Sequence, residues 1–422
     1  MSQIKQNSAY DVLKIPDFRH FIIARTVITF GFNMLATVVA WQVFEIVFKQ
    51  SGEKSANYAL GLIGLSEFIP FLMVTLIGGY VADMLDRKNI IQTAVLINIG
   101  CAGILLFLST RGHSWIDRLG VLPIYMVIAC TGLIRGFFGP AQTAYQSQLI
   151  PKELFGNAST WSTMSWHLGS VGGPAIGGLI YGLTHTPSTV YMIVALLELV
   201  GFTLFFFIKT PSSRPTTEKS KEGLFKSVSS GLQFVFNNPM LLGALSLDMF
   251  AVLFGGAVAM LPSFAKLVLN AGPEGLGLLR AAPATGAILM ASILVHYPIT
   301  KHAGKILLAS VAGFGICTIL FAMSTNFYFS LLMLAGTGFF DDVSMVIRGT
   351  IVQLFTPDEM RGRVSSVNHL FIGSSNELGA YESGLAASYM GLVPSVLFGG
   401  FMTLLVVCIT WFKAPQMKNL DL

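Results

Sequence analysis

Residues 188–209, STVYMIVALLELVGFTLFFFIK, run directly into residues 210–239, TPSSRPTTEKSKEGLFKSVSSGLQFVFNNP. A helix needs about 20 apolar residues to cross a ~30 Å hydrocarbon core at 1.5 Å per residue. The first stretch meets that requirement, with Glu198 its one charge before Lys209; the second is the one long polar connection in the chain. Working outward, apolar stretches of similar length lie before it at 18–46, 57–82, 89–109, 121–148 and 157–183. Six more follow at 240–265, 275–297, 304–323, 327–354, 364–388 and 393–412. This pattern predicts an all-α membrane protein with twelve transmembrane helices in two pseudo-symmetric six-helix bundles, 1–209 and 240–422, joined by the linker 210–239. Within the linker, Leu224, Val228, Leu232 and Val235 share one helical face. That face suits a helix lying along the inner membrane surface, and equally a solvated linker helix.

Composition agrees. Of 422 residues, 53% are hydrophobic and 11% charged, with a mean hydropathy of +0.69, against roughly 25% charged in soluble domains. A water-soluble globule is excluded. The net charge of +5 comes from bases scattered between apolar stretches, so no nucleic-acid surface is predicted. Cys101, Cys130, Cys317 and Cys408 lie inside apolar runs without metal-ligand spacing, so neither disulfides nor a metal site is expected. Basic residues stay preferentially in the cytoplasm. Arg87, Lys88, Lys152, Lys209, Lys301, Lys305, Arg361 and Lys413 fall on the side of the N-terminus, and only Lys49, Lys54, Arg111, Arg118 and Lys266 on the other. Both termini are therefore predicted to be cytoplasmic. The polar start, MSQIKQNSAYDVLKIPDFRH, marks the first span as permanent and not a cleavable signal.

The two halves carry a weak internal duplication, as expected of secondary transporters. At an offset of 206, Thr131, Gly132, Pro151, Gly173 and Gly178 match Thr337, Gly338, Pro357, Gly379 and Gly384. At an offset of 213, Gly64, Glu67 and Pro70 match Gly277, Arg280 and Pro283. The register sets Arg135 on Asp341 and Gln142 on Arg348. A charge at the bilayer centre costs ~2.5–3.5 kcal/mol on the insertion scale, so it persists where it is paired or faces a wet cavity. Asp341 and Arg348, seven residues apart, lie on nearly one helix face. Two readings stand: Arg135 against Asp341 and Glu67 against Arg280 are complementary across a central cleft, or each charge pairs within its own half.

Between the second and third spans, GGYVADMLDRKNII holds Gly79, Asp83, Arg87 and Lys88 at GxxxDxxxRK spacing. An acid at a helix end and two bases in a short loop can latch one side of a transporter. The loop at the matching place in the second half, HYPITKHAGK, keeps bases but lacks the acid, so the latch is expected to be asymmetric. The fourth span has LIRGFFGPA, with Arg135 and Gly139. The fifth has LGSVGGPAIGGLI, in which Gly169, Gly173, Pro174, Gly177 and Gly178 stand at GxxxGPxxGG spacing. Glycines four apart allow close helix contact, and proline removes an amide donor where a helix bends; generic small-residue packing would use the same residues.

These motifs resemble those of the major facilitator superfamily. The loop motif is similar to its GxxxDxxGRK-like pattern, with Asp86 where glycine usually stands. Arg135 resembles its intramembrane arginine implicated in proton coupling, and the fifth span fits the exporter-associated motif at every fixed position. The resemblance covers the whole chain. It is closest to the bacterial enterobactin exporter-like and drug-proton antiporter branch, through the DFR at 17–19, the LGSV and PAIGGL runs, and GSSNELGAYESG at 373–384. It implies the major facilitator fold and export of a drug-like or siderophore-like small molecule coupled to proton entry, from a bacterial inner membrane.

The carboxylates placed to titrate are Glu67, Asp248, Glu377 and Glu382, with Asp341 on the polar stripe. Burial raises a carboxyl pKa and a nearby arginine lowers it, so a substrate that displaces Arg135, Arg280 or Arg348 changes proton occupancy. No phosphate-cradling GxxxxGK[ST] and no HExxH occur, so neither an ATP-driven pump nor an enzyme is predicted. The expected partners are a small molecule, protons and the bilayer, with no cofactor, acting as a monomer. Uptake or facilitated diffusion of a small solute, and a non-transporting sensor on the same fold, remain rival functions.

Overall fold

The computed structural model describes residues 10–210, 224–297, 299, 301–357, 360–418 and 420–421, and of 76–84, 113, 114, 152, 224–228, 361, 362 and 415 the backbone alone. Helix α1 (Pro16–Met84) is followed by α2 (Arg87–Thr110), α3 (His113–Leu119), α4 (Leu122–Leu149), α5 (Phe155–Thr184) and α6 (Pro187–Leu204). After the linker come α7 (Leu224–Asn237), α8 (Pro239–Phe254), α9 (Leu261–Leu267), α10 (Pro273–His296), α11 (Ala303–Met323), α12 (Phe327–Leu354), α13 (Arg361–Met390), α14 (Leu392–Lys413) and the short α15 (Pro415–Lys418). The chain is an all-α membrane protein. Most predicted spans match their helices to within a few residues, because prolines at the N-termini of α6, α8 and α10 and polar caps such as Asn326 on α12 set the starts.

Two spans depart from expectation. The first and second were read as separate helices with residues 47–56 between them. Instead, helical structure is continuous through α1 and turns only at Gly52, whose φ of 78° and ψ of −174° suit a residue without Cβ. The seventh was read as one helix and is two, α8 and α9, separated by Gly255 and Gly256. Among the described residues, nine helices are long and apolar enough to cross a membrane, and the first of them, residues 16–75, is long enough to cross twice. Helices α5 and α13, rich in glycine and serine and, in α13, carrying Glu377 and Glu382, are not among the nine; they pack on α1, α8 and α10.

Most of the polar linker, 211–223 with Arg214, Lys219 and Lys221, lies outside the described residues, as does Lys5. Helix α7 docks on protein: Val235 is fully buried beside α8, and Arg363 of α13 donates to Ser230 at 3.0 Å. The side chains of Leu224 and Val228 are outside the description.

Apolar packing is divided unevenly along the membrane normal. At the linker end there are two cores, one drawn from residues 12–208 and one from 235–417. At the opposite end there is one, and it takes Met34 to Val194 together with Ala257 to Val396. The halves are thus fused at one end and separately packed at the other. The first half is also clasped where it meets the linker: Asp17 accepts from the amides of Lys209 (3.2 Å) and Thr210 (2.7 Å) and from the Thr210 hydroxyl, while Tyr145 donates to the Thr210 carbonyl and Lys88 to that of Ile208.

Candidate functional site

A cavity of about 410 Å³ lies between the halves. The walls are apolar, with Phe32, Leu35, Val39 and Phe314, and the polar groups converge from different helices: Glu67 from α1, Arg280 from α10, Asp341 from α12, Asn376 and Glu377 from α13. The break between α8 and α9 is part of the wall, because Gly255 and Gly256 line it. Thr131 and Thr337, equivalent in the duplication, both line the cavity and both donate to the carbonyl three residues earlier, at 2.7 and 2.6 Å. The two halves therefore present the same local backbone to the same space.

Arg135 of α4 forms ion pairs with Glu67 and, at 2.8 Å, with Glu377, and its guanidinium lies 5.4 Å from the centre of the Phe71 ring. One guanidinium thus joins α4 to α1 and to α13 of the other half. The expected match of Arg135 with Asp341 is not made. Asp341 lines the cavity from α12, whereas the guanidinium of Arg135 is taken by Glu67 and Glu377 on α1 and α13. Arg280 donates to Thr37 at 3.3 Å, lies in the field of Glu67 and Glu377, and among the described residues its Nε has no hydrogen-bond partner. So the cleft is charge-complementary through Arg135 and Glu377, while other charges pair within one half.

The clearest example is Arg348, which forms a buried ion pair with Asp248 of α8. A small pocket lined by Asp248, Asp341 and Ser344 shares Val252, Phe314 and Asp341 with the main cavity. Breaking a buried pair strands a charge and costs about 3–5 kcal/mol, whereas replacing both partners by apolar groups is often neutral. Arg348→Met is therefore expected to lower the thermal unfolding temperature strongly, and the double variant Arg348→Met/Asp248→Leu to restore most of it. Equal destabilisation in both would refute the pairing.

Glu382 does not line the cavity. Five residues from Glu377, it is rotated by about 140° around α13. Residues around the site carried little sequence signal: Thr37, which accepts from Arg280, and Phe71, beneath Arg135, are common residue types inside apolar runs, and Asn376 of the cavity wall stands in a polar stretch that offers several candidates. Asp342 was passed over for Asp341 next to it, yet is the more buried of the two, and its Oδ2 has no partner among the described residues. Glu198 is buried against Asn98, which donates to it at 2.5 Å, away from the cavity.

The glycines of α5 are spacers. A Cβ on Gly169, Gly173 or Gly177 would meet Thr29, Phe30, Asn33 or Met34 of α1, and one on Gly178 would strike Gly277 of α10, whose backbone lies within 2.9 Å. An equivalent crossing joins α1 to α13, where a Cβ on Gly61 would lie 3.0 Å from Gly384. Gly178 and Gly384 are equivalents, as are Gly277 and Gly64, so the duplication builds two matching seams between the halves. Both lie toward the end with the fused core, where Ser263 also donates to Asn57 at 2.6 Å. Pro174, inside α5, leaves its carbonyl against Gly277.

At the loop motif, Asp86 caps α2 by accepting from the amides of Lys88 and Asn89. The departure from glycine therefore makes a helix start, and Arg87 and Lys88 occupy its first turn instead of a loop. Arg87 donates to the Ala144 carbonyl at 3.2 Å. The backbone of Gly79 and Asp83 is helical, and their side chains lie outside the described part.

Helices fused at one end, separately packed at the other and enclosing a charged cavity have the architecture of a major facilitator transporter. Solved structures share the fold: a POT family transporter, PepTSo, matches with a TM-score of 0.75 at 14% identity over 96% of this chain and 99% of that one. A D-xylose-proton symporter matches with a TM-score of 0.71 at 14% identity over 97% and 100%. The chain belongs to the transmembrane secretion effector family, whose model matches residues 7–422. It is similar to the enterobactin exporter EntS of Shigella flexneri, 26% identical over 398 residues, with 93% of this chain and 90% of the relative covered. To EntS of Salmonella typhimurium it is 25% identical over 399 residues, covering 92% and 89%.

Proposed function

We propose that this transporter exports a small amphiphilic molecule of the siderophore-like or drug-like kind, in exchange for protons, by alternating access. The observation that carries the reading is Arg135 held between Glu67 and Glu377 at the cavity. A substrate that takes the guanidinium away from either carboxylate makes that carboxylate a better proton acceptor, and proton binding in turn releases the arginine. Asp341, Arg280 and the Asp248–Arg348 pair extend the charge network, and Glu382 remains a candidate on the outer side of α13. The relatives named as enterobactin exporters support the direction and the substrate class.

In this reading 1–209 and 240–422 rock as two bundles about the linker 210–239. Gly79, Asp83, Arg87 and Lys88 latch the linker end, and Gly169, Gly173, Pro174, Gly177 and Gly178 let the opposite end close. The basic side chains put the linker and both termini in the cytoplasm of a bacterial inner membrane, and the protein works as a monomer. Everted vesicles test the proposal: uptake of the candidate compound should follow an inside-acidic gradient and vanish when the gradient is collapsed. Equilibration that ignores the gradient overturns it.

A further inference from the structure

In the second half, sharing no lining residue with the central cavity, α8 and α14 border a groove of about 860 Å³ near the linker end. Its α8 wall is a single helix face running from Pro239 through Leu242 and Leu247 to Phe250, and its α14 wall includes Val406 and Ile409. The eleven steps of α8 from Pro239 to Phe250 amount to about 16 Å, which matches one leaflet, about half of a ~30 Å hydrocarbon core. The groove faces outward: Phe250 and Ile409 are 40% and 48% exposed. In a bilayer such a groove is filled by an acyl chain, because an empty one forfeits the dispersion contacts of its walls.

The chemistry changes at the rim. Lys413 and Gln416 line the groove where α14 gives way to α15. Among the described residues Lys413 has no acidic partner, while Lys418 lies 3.8 Å from the centre of the Trp411 ring. Tryptophan and lysine together mark the headgroup level of a membrane protein, with long lysine side chains reaching toward phosphate. An apolar slot one leaflet long, with a cationic rim at headgroup height, is complementary to one anionic phospholipid.

We infer that the α8–α14 groove binds an anionic phospholipid, with an acyl chain along Leu242, Phe250, Val406 and Ile409 and the phosphate at Lys413. The site is separate from the transport cavity and stands or falls without the transport reading. The test is native mass spectrometry of the detergent-purified full chain, titrated with phosphatidylglycerol or with phosphatidylcholine of the same acyl chains. One phosphatidylglycerol should be retained in preference to phosphatidylcholine. Lys413→Gln should reduce that retention about fivefold, as expected for one lysine at an anionic headgroup. Gly243→Phe fills the groove, and its Cβ meets only the flexible end of Met417, at 3.3 Å; it should abolish retention of both lipids with thermal unfolding unchanged. Equal retention of the two lipids by the wild type, wild-type retention by Lys413→Gln, or a second copy of the chain in place of lipid would each overturn the inference.

Discussion

Arg135→Gln is expected to abolish substrate-dependent proton flux and to destabilise the protein, because it leaves Glu67 and Glu377 facing each other with nothing between them. Truncating one member of a buried ion pair costs about 3–5 kcal/mol; Arg135 is 41% exposed, so the loss here is expected to be smaller, although one guanidinium serves two acids. The sign of the effect can be separated from simple loss of packing. In Arg135→Gln/Glu377→Gln one carboxylate is neutralised together with the base, so stability should recover by a large part of the loss while proton flux stays absent. Arg135→Lys keeps the charge but not the planar fork that reaches two carboxylates, and should fall between. Thermal unfolding and flux in everted vesicles read the two quantities. Wild-type flux in Arg135→Gln would remove this arginine from the coupling step.

Gly178→Val is expected to stop transport by a different route, with the charged cavity untouched. The added carbons meet the backbone of Gly277 and Pro273, which cannot rotate away as a side chain can. Overpacking of this kind costs about 1–3 kcal/mol, and the cost falls only on states in which α5 and α10 are in contact. A penalty of that size moves a two-state equilibrium by about 5- to 150-fold, so the opposite end should spend most of its time apart. Spin labels at the exposed positions Leu183 and Leu278 should report a longer α5–α10 distance. The duplication makes a second demand: Gly384→Val, at the matching seam with Gly61, should produce the same shift. A change at one seam without the other would mean that they do not close together.

Helix positions were legible because span length is imposed by the bilayer and ends are marked by proline and polar caps, as at α6, α8 and α12. The continuity of α1 on either side of Gly52 was missed because residues 47–56 are mostly polar, and polarity reports water and not whether the helical path is interrupted. The break between α8 and α9 was missed for the opposite reason: Gly255 and Gly256 lie within an unbroken apolar run. In the cavity, the residue types and helices of Glu67, Arg280, Asp341 and Glu377 were readable from the cost of burying charge. Their pairings were not, since these depend on helix rotation and on which neighbour crosses at that depth. Repeat arithmetic joins Arg135 to Asp341 by ancestry, whereas contact joins it to α1 and α13. The seams are the case where both nearly agree: Gly178 and Gly384, related by duplication, meet Gly277 of α10 and Gly61 of α1, the latter one turn before Gly64, the equivalent of Gly277.

The clasp at Asp17 bears on how the chain is made. Its acceptor belongs to α1, but the amides and hydroxyl it receives belong to Lys209 and Thr210, beyond the end of α6 where the linker begins. During synthesis the earliest segment therefore waits in the bilayer with its carboxylate at the water boundary until residue 210 emerges, and only then is the ring of six drawn shut. Truncation a few residues short of that point removes the fastener and leaves α1–α6 of the first half intact.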